Sequence, residues 1–170
     1  LGITVAEGSR AAAEALTALP EAADARSVLR AAGLAFSSAN PSTFAALVGA
    51  GVMSAAETPE PGSHATATQA APLLRAVAAQ IAERGGAQLG DKTLLDVLDR
   101  VSAAIESGSG AEELQRVAAD AVEETAQWQS RRGRAAWQQE RSIGQRDPGS
   151  VAVQRFVDEI GADVAGAARS

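Results

Sequence analysis

The chain has 170 residues, of which 46% are apolar, 21% charged and 3% aromatic, with a net charge of −6. That length suits one domain, and the composition excludes a disordered tail. With no cysteine and one histidine, His64, it also excludes a disulfide scaffold, a thiolate nucleophile and any site built from several histidines.

Alanine supplies 41 residues, and β-branched runs are scarce, which argues for an all-α protein. The acidic balance makes a general nucleic-acid binder a poor fit, because phosphate binding needs local positive charge. No apolar run reaches the roughly 18 residues of a membrane span, and no leader pattern is visible, so a cytoplasmic protein without a membrane partner is expected.

In chain order, residues 3–19 carry Val5, Ala12, Leu16 and Leu19 at helical spacing and stop at Pro20. Residues 23–36 continue with Val28, Leu29, Ala32 and Phe36. The island Ser37-Ser38-Ala39-Asn40-Pro41-Ser42 breaks the pattern, with Ser42 a cap for the next helix. Residues 43–56 are apolar or small almost throughout and predict a helix buried on most sides. Residues 57–65, with Pro59, Pro61 and Gly62, read as a surface loop that leaves His64 an exposed bystander. A helix over 66–84 comes next, closed by Gly85-Gly86. Asp91 is the predicted cap of a helix running to about Ser107. Gly108-Ser109-Gly110 then leads to a helix over 111–130. The last helix starts at Pro148 behind Asp147. Seven helices with short connections predict one all-α domain over residues 1–170, an antiparallel multi-helix bundle.

Three polar islands interrupt this apolar pattern. Residues 131–149 carry five arginines against Glu140 and Asp147, a local +3, while the rest of the chain is −9. Arginine offers planar donors to phosphate oxygens, so this segment is a candidate anion site; the plainer alternative is a loop made soluble by arginine. The second island is Gly90-Asp91-Lys92-Thr93, read either as a helix cap or as a helix start that binds phosphate. The third is the Ser37–Thr43 turn, read as a capped helix–helix turn or as a phosphate contact through backbone amides. Trp128 and Trp137 flank the basic segment, with core packing the first reading for both and stacking on a ligand the alternative for Trp137.

Together, Gly90-Asp91-Lys92-Thr93-Leu94-Leu95-Asp96, Gly133-Arg134-Ala135-Ala136-Trp137, Glu140-Arg141-Ser142-Ile143-Gly144 and Asp147-Pro148-Gly149 resemble the nucleotide-binding L subunit of dihydroxyacetone kinases. The family pattern reads G-D-K-T-M-L-D, then a long run ending in E-R-S-I-G-H-x-D-P-G-A. The opening Gly2-Ile3-Thr4-Val5-Ala6-Glu7-Gly8 is similar to the segment next to the family's acidic loop. The resemblance covers nearly the whole chain.

It implies a barrel-like bundle of antiparallel helices with ADP or ATP at one end. It implies Mg2+ held by aspartates of an acidic loop, and a K subunit or domain that binds dihydroxyacetone. It implies phosphoryl transfer from ATP, or from bound ADP recharged by a phospho-histidine protein of the phosphotransferase system; a homodimer is a further expectation. Carried over by position, the nucleotide contacts are Ser38, Asn40, Thr93, Leu94, Arg134, Asp147, Pro148 and Gly149, with Arg141 a further matched arginine. Ser38 and Asn40 fall in the family's glycine-rich phosphate loop, where Pro41 removes an N–H donor. No metal ligand is assigned in this chain, and no catalytic residue.

Leu1 stands where the family has a histidine, and the chain opens without Met, so the acidic loop is expected upstream of Leu1. The alternative is a protein that lacks the loop and serves as a non-catalytic nucleotide-binding or regulatory module. A kinase acting on another small ketose, such as a tetrulose, is the remaining reading.

Overall fold

The computed structural model describes residues 1–59 and 69–167, and the side chains of all of these but 134, 135 and 163–167. The expected positions of His64 and of the first residues of the fourth helix lie outside them. Among the described residues every regular element is helical, as the alanine-rich composition demands. They are α1 (Gly2–Thr17), α2 (Ala25–Ser38), α3 (Thr43–Ala55), α4 (Ala70–Gly85), α5 (Leu94–Glu106), α6 (Ala111–Ala126) and α7 (Pro148–Ala167), with a 3-10 helix at Arg134–Ser142. The chain divides into two compact units, Leu1–Gly86 and Ala87–Ser170.

In the first unit, α2 packs on α1 and α3, and α3 on α4. Its core is built from small residues: Ala25, Ala45, Ala50, Ala55, Ala56 and Ala71 are buried, joined by Ile81. Small side chains let helix backbones approach closely, and Gly33 on α2 meets Gly49 on α3 at such a crossing. A methyl group at Gly49 would lie 2.5 Å from the Gly33 carbonyl oxygen, and one at Gly33 would lie 2.7 Å from the Gly49 oxygen. Two helix starts of this unit are capped by short polar side chains, that of α3 as expected. Asp24 accepts from Ser27 N at the start of α2, and Ser42 accepts from Ala45 N, 3.0 Å, at the start of α3. Pro59 is buried and its carbonyl accepts from Arg26 Nη2, 3.2 Å, while Arg30 pairs with Glu57.

In the second unit, α5 packs on α6 and α7, and α6 on α7. The core is of larger residues: Leu95, Val97, Leu98 and Val101 of α5 against Ala118, Ala121 and Val122 of α6. Outside it, Arg100 of α5 grips Glu124 of α6 with two parallel bonds of 2.6 Å. Helix α7 begins as its sequence predicts, with Pro148 in the first turn and the Asp147 carboxylate accepting from Ser150 N, 2.8 Å.

Three expectations are corrected. Helix α5 is capped by Thr93 and not by Asp91: Thr93 Oγ1 accepts from Leu95 N while Asp96 Oδ2 accepts from Thr93 N, 2.8 Å, a reciprocal capping box. Helix α6 ends at Ala126, four residues before the expected 130. The basic segment is not without structure, since residues 134–142 form the 3-10 helix, broken at Gln139 where φ is 47°. No helix among the described residues is long and apolar enough to cross a membrane.

Candidate functional site

The second unit gathers two of the three polar islands. The turn before α5 is built on buried charged residues, which need partners to be stable there. Asp91 is buried; its Oδ2 accepts from Gln88 N and from Arg132 Nε, each at 3.0 Å. Burial pushes this carboxyl up, but the Gln88 amide and the Arg132 and Arg131 guanidiniums outweigh it and hold it below its ordinary value. The Asp91 carbonyl also accepts from Arg131 N, 3.1 Å, so the turn and the basic segment are joined through main chain and side chain alike. Asp96 completes the turn by accepting from Gly90 N, 2.6 Å, where Gly90 takes a φ of 89° that disfavours any side chain.

Lys92 is the residue that sequence reasoning missed. It is only 3% exposed, and its backbone is left-handed, with φ 59°. That conformation costs roughly 1 kcal/mol for a residue with a Cβ, so the surrounding contacts must hold it. Its ammonium donates to three carbonyl oxygens: Ala126 at 3.0 Å, Trp128 at 3.0 Å and Ser142 at 2.5 Å. An ammonium has three N–H donors, and three acceptors satisfy it. Burial lowers its pKa, and the Asp147 charge works the other way. Around it, Ser142 Oγ accepts from Ser130 N, 2.9 Å, and donates to Gln139 O, 2.6 Å. Gly144 N donates to Ala126 O, 2.8 Å. The segment 128–144 therefore leaves and rejoins the body of the unit at one hydrogen-bonded point.

The Asp147-Pro148-Gly149 turn lies against the start of α5. A Cβ at Gly149 would sit 3.5 Å from Leu94 Cβ and 2.9 Å from Asp147 Oδ2, so Leu94, Asp147 and Gly149 are direct neighbours. Asp147 is half-buried, and burial raises its carboxyl above the ordinary value although Ser150, Gly149 and Lys92 pull the other way. A raised carboxyl pKa means that ionisation opposes folding: the stability present below the unfolded-state value is lost as pH rises through the folded-state one. Asp147→Asn keeps the cap acceptor and removes the charge. It should therefore match the wild type in acid and exceed its stability at neutral pH. Melting curves from pH 4 to pH 8 check this, and a gap that widens toward acid would contradict it.

Of the expected site residues, the structure brings Thr93, Leu94, Asp147, Pro148 and Gly149 into one neighbourhood. Arg134 opens the 3-10 helix, and its side chain lies outside the described ones. Ser38 and Asn40 belong to the first unit. Ser38 is the exposed last residue of α2, and the Asn40 amide donates to Glu7 Oε2 at 2.6 Å, so that donor is already engaged by a carboxylate. Trp137 is not core: it is 86% exposed, on a surface hollow with Gln138, Gln139, Arg141 and Gln145. Trp128 is half-buried.

For the implied Mg2+, no group of three or more His, Asp or Glu side chains that could hold a metal ion occurs among the described residues. Asp91 and Asp96 already accept from three and two partners respectively, counting the Asp91 carbonyl. The described residues do not fit a metal. Asp147 offers an acceptor, Leu94 and Gly149 an apolar contact, and Arg141 an exposed guanidinium.

Two relatives bear on this arrangement. The chain is 35% identical over 161 residues to an L-erythrulose 1-kinase of Mycolicibacterium smegmatis, an alignment covering 91% of this chain and 28% of that protein. It is 28% identical over 160 residues to the ADP-binding subunit DhaL of the PEP-dependent dihydroxyacetone kinase of Escherichia coli, covering 89% of this chain and 76% of that one. The model of the DAK2 domain matches residues 1–162, both units included, and the chain belongs to the DAK2-domain family.

Proposed function

We propose that this chain is the nucleotide-binding module of a kinase of the dihydroxyacetone kinase type. It takes ADP or ATP, and the phosphoryl group passes to a small ketose held by a separate K-type subunit or domain. The observation that carries this reading is the union of the turn at 90–93, the segment 128–144 and the Asp147–Gly149 turn around Lys92 and Leu94. The first stretch lies more than thirty residues before the other two, and all three are the ones that resemble the nucleotide-binding motifs. One relative is an ADP-binding subunit and the other a kinase of a four-carbon ketose, which supports a nucleotide here and a three- or four-carbon ketose as acceptor.

In this reading Asp147 accepts from the amino or hydroxyl groups of the nucleoside. Leu94 and Gly149 pack on its flat face, and Arg134 and Arg141 meet phosphate oxygens.

Calorimetric titration with ADP and ATP, with and without MgCl2, tests the reading. Saturable binding of either is expected, and none at all with MgCl2 present would sink it. Binding indifferent to MgCl2 would favour the non-catalytic module. Arg134→Ala should weaken binding by about 1.5–3 kcal/mol, the scale of a hydrogen bond to a charged group. An unchanged affinity would remove Arg134 from the site.

A further inference from the structure

We propose that Lys92 is a positioning residue for the nucleotide: its ammonium fixes both ends of the segment 128–144, and binding depends on that tie. The inference rests on the nucleotide-binding reading above, and it adds a residue that touches no part of the ligand.

Ala126 closes α6 and Ser142 closes the 3-10 helix, so the carbonyls of both belong to helix ends, which carry partial negative charge and lack partners along their own helices. Lys92 Nζ meets both, and the Trp128 carbonyl between them in sequence. One cation thus holds together two helix C-termini that are 16 residues apart. The stretch it encloses carries Trp137 and Arg141 outward, with Arg131 and Arg132 at its base. Lys92 immediately precedes Thr93 and Leu94, and Leu94 lies on Gly149. The same short turn therefore fixes the enclosed segment on one side and the Asp147–Gly149 turn on the other.

A buried ammonium is not the economical way to fill such a place. It is desolvated, and the backbone beneath it is left-handed. An aliphatic side chain would fill the volume but would leave three carbonyls without the donor that now draws them together. The arrangement makes sense where the geometry of those carbonyls matters.

The experiment compares the wild type with Lys92→Met and Lys92→Arg by two readouts. The first is ADP affinity by calorimetry. The second is the rate of tryptic cleavage at Arg131, Arg132 and Arg141 in protein without nucleotide, with circular dichroism confirming helix content. Lys92→Met is expected to bind ADP about 10-fold to 100-fold more weakly, the loss of a charge-assisted contact, and to be cut faster within 131–141. Lys92→Arg keeps a charged donor and is expected to recover most of the affinity that Lys92→Met loses, which a loss of packing alone would not predict.

Wild-type affinity in Lys92→Met overturns the proposal. So does faster cleavage with unchanged affinity, which would make the tie structural only. Should Lys92→Met fail to fold, Lys92→Gln, neutral but still a donor, is read by the same two measurements and against the same outcomes. Absence of ADP binding in the wild type itself would instead overturn the nucleotide reading on which the proposal stands.

Discussion

Gly49→Ala is expected to destabilise the protein by about 2–3 kcal/mol, although alanine is the better helix former. The intrinsic gain of alanine over glycine inside a helix is about 1 kcal/mol, and the steric term runs against it. The new methyl would lie 2.5 Å from the Gly33 carbonyl oxygen and 2.5 Å from Ser37 Cβ, with Ser37 Cα at 3.1 Å. Two of those three atoms are backbone, so no rotamer change relieves the contact. Helices α2 and α3 must separate, and the crossing between them loosens along its length. Thermal unfolding followed by circular dichroism should show Tm lower by roughly 5–10 °C. Gly85→Ala is the control. Its methyl would meet only Leu47, 3.5 Å away at ordinary contact distance, so no loss is expected. Equal melting temperatures for Gly49→Ala and the wild type would mean that the α2–α3 crossing is wider than these distances.

Asp147→Ala should act on binding and stability at once, and in separable amounts. As the cap of α7, its carboxylate accepts from Ser150 N and Oγ, and losing that cap should cost about 1 kcal/mol of stability. As the acceptor beside Leu94 and Gly149, it should cost nucleotide affinity by about tenfold. Asp147→Asn divides the two effects: the cap survives, the carboxylate does not. Loss of affinity in both variants, with loss of stability in alanine alone, is the expected pattern. Affinity that tracks stability would make Asp147 a cap and nothing more.

Much of the helical frame was legible in the sequence because its punctuation is local. Asp147-Pro148 starts α7 and Ser42 starts α3 by the chemistry of the residues themselves. The cap of α5 was misplaced because Asp91 and Thr93 are both good cap residues two positions apart. The spacing of Thr93 and Asp96 was the signal that separates them. The burial of Lys92 was not legible at all. Lysine is a surface residue in nearly every sequence pattern, and its three acceptors are main-chain atoms, which no side-chain code announces. Trp137 was misjudged for the converse reason: a large aromatic defaults to the core, and only the course of the 3-10 helix puts it outside. The neighbourhood of Leu94 and Gly149 joins residues more than fifty positions apart, a relation that resemblance suggested and periodicity could not.

The two tryptophans make the basic segment visible to spectroscopy. The chain has no tyrosine, and Trp128 and Trp137 both fall within the segment tied by Lys92. Light absorbed at 295 nm is therefore taken up by that segment alone, once by a half-buried indole and once by an exposed one. Intrinsic emission is a built-in gauge of this stretch. A fluorescence melt and a circular dichroism melt of this protein measure different things, and agreement between them would itself be a test that both units unfold together.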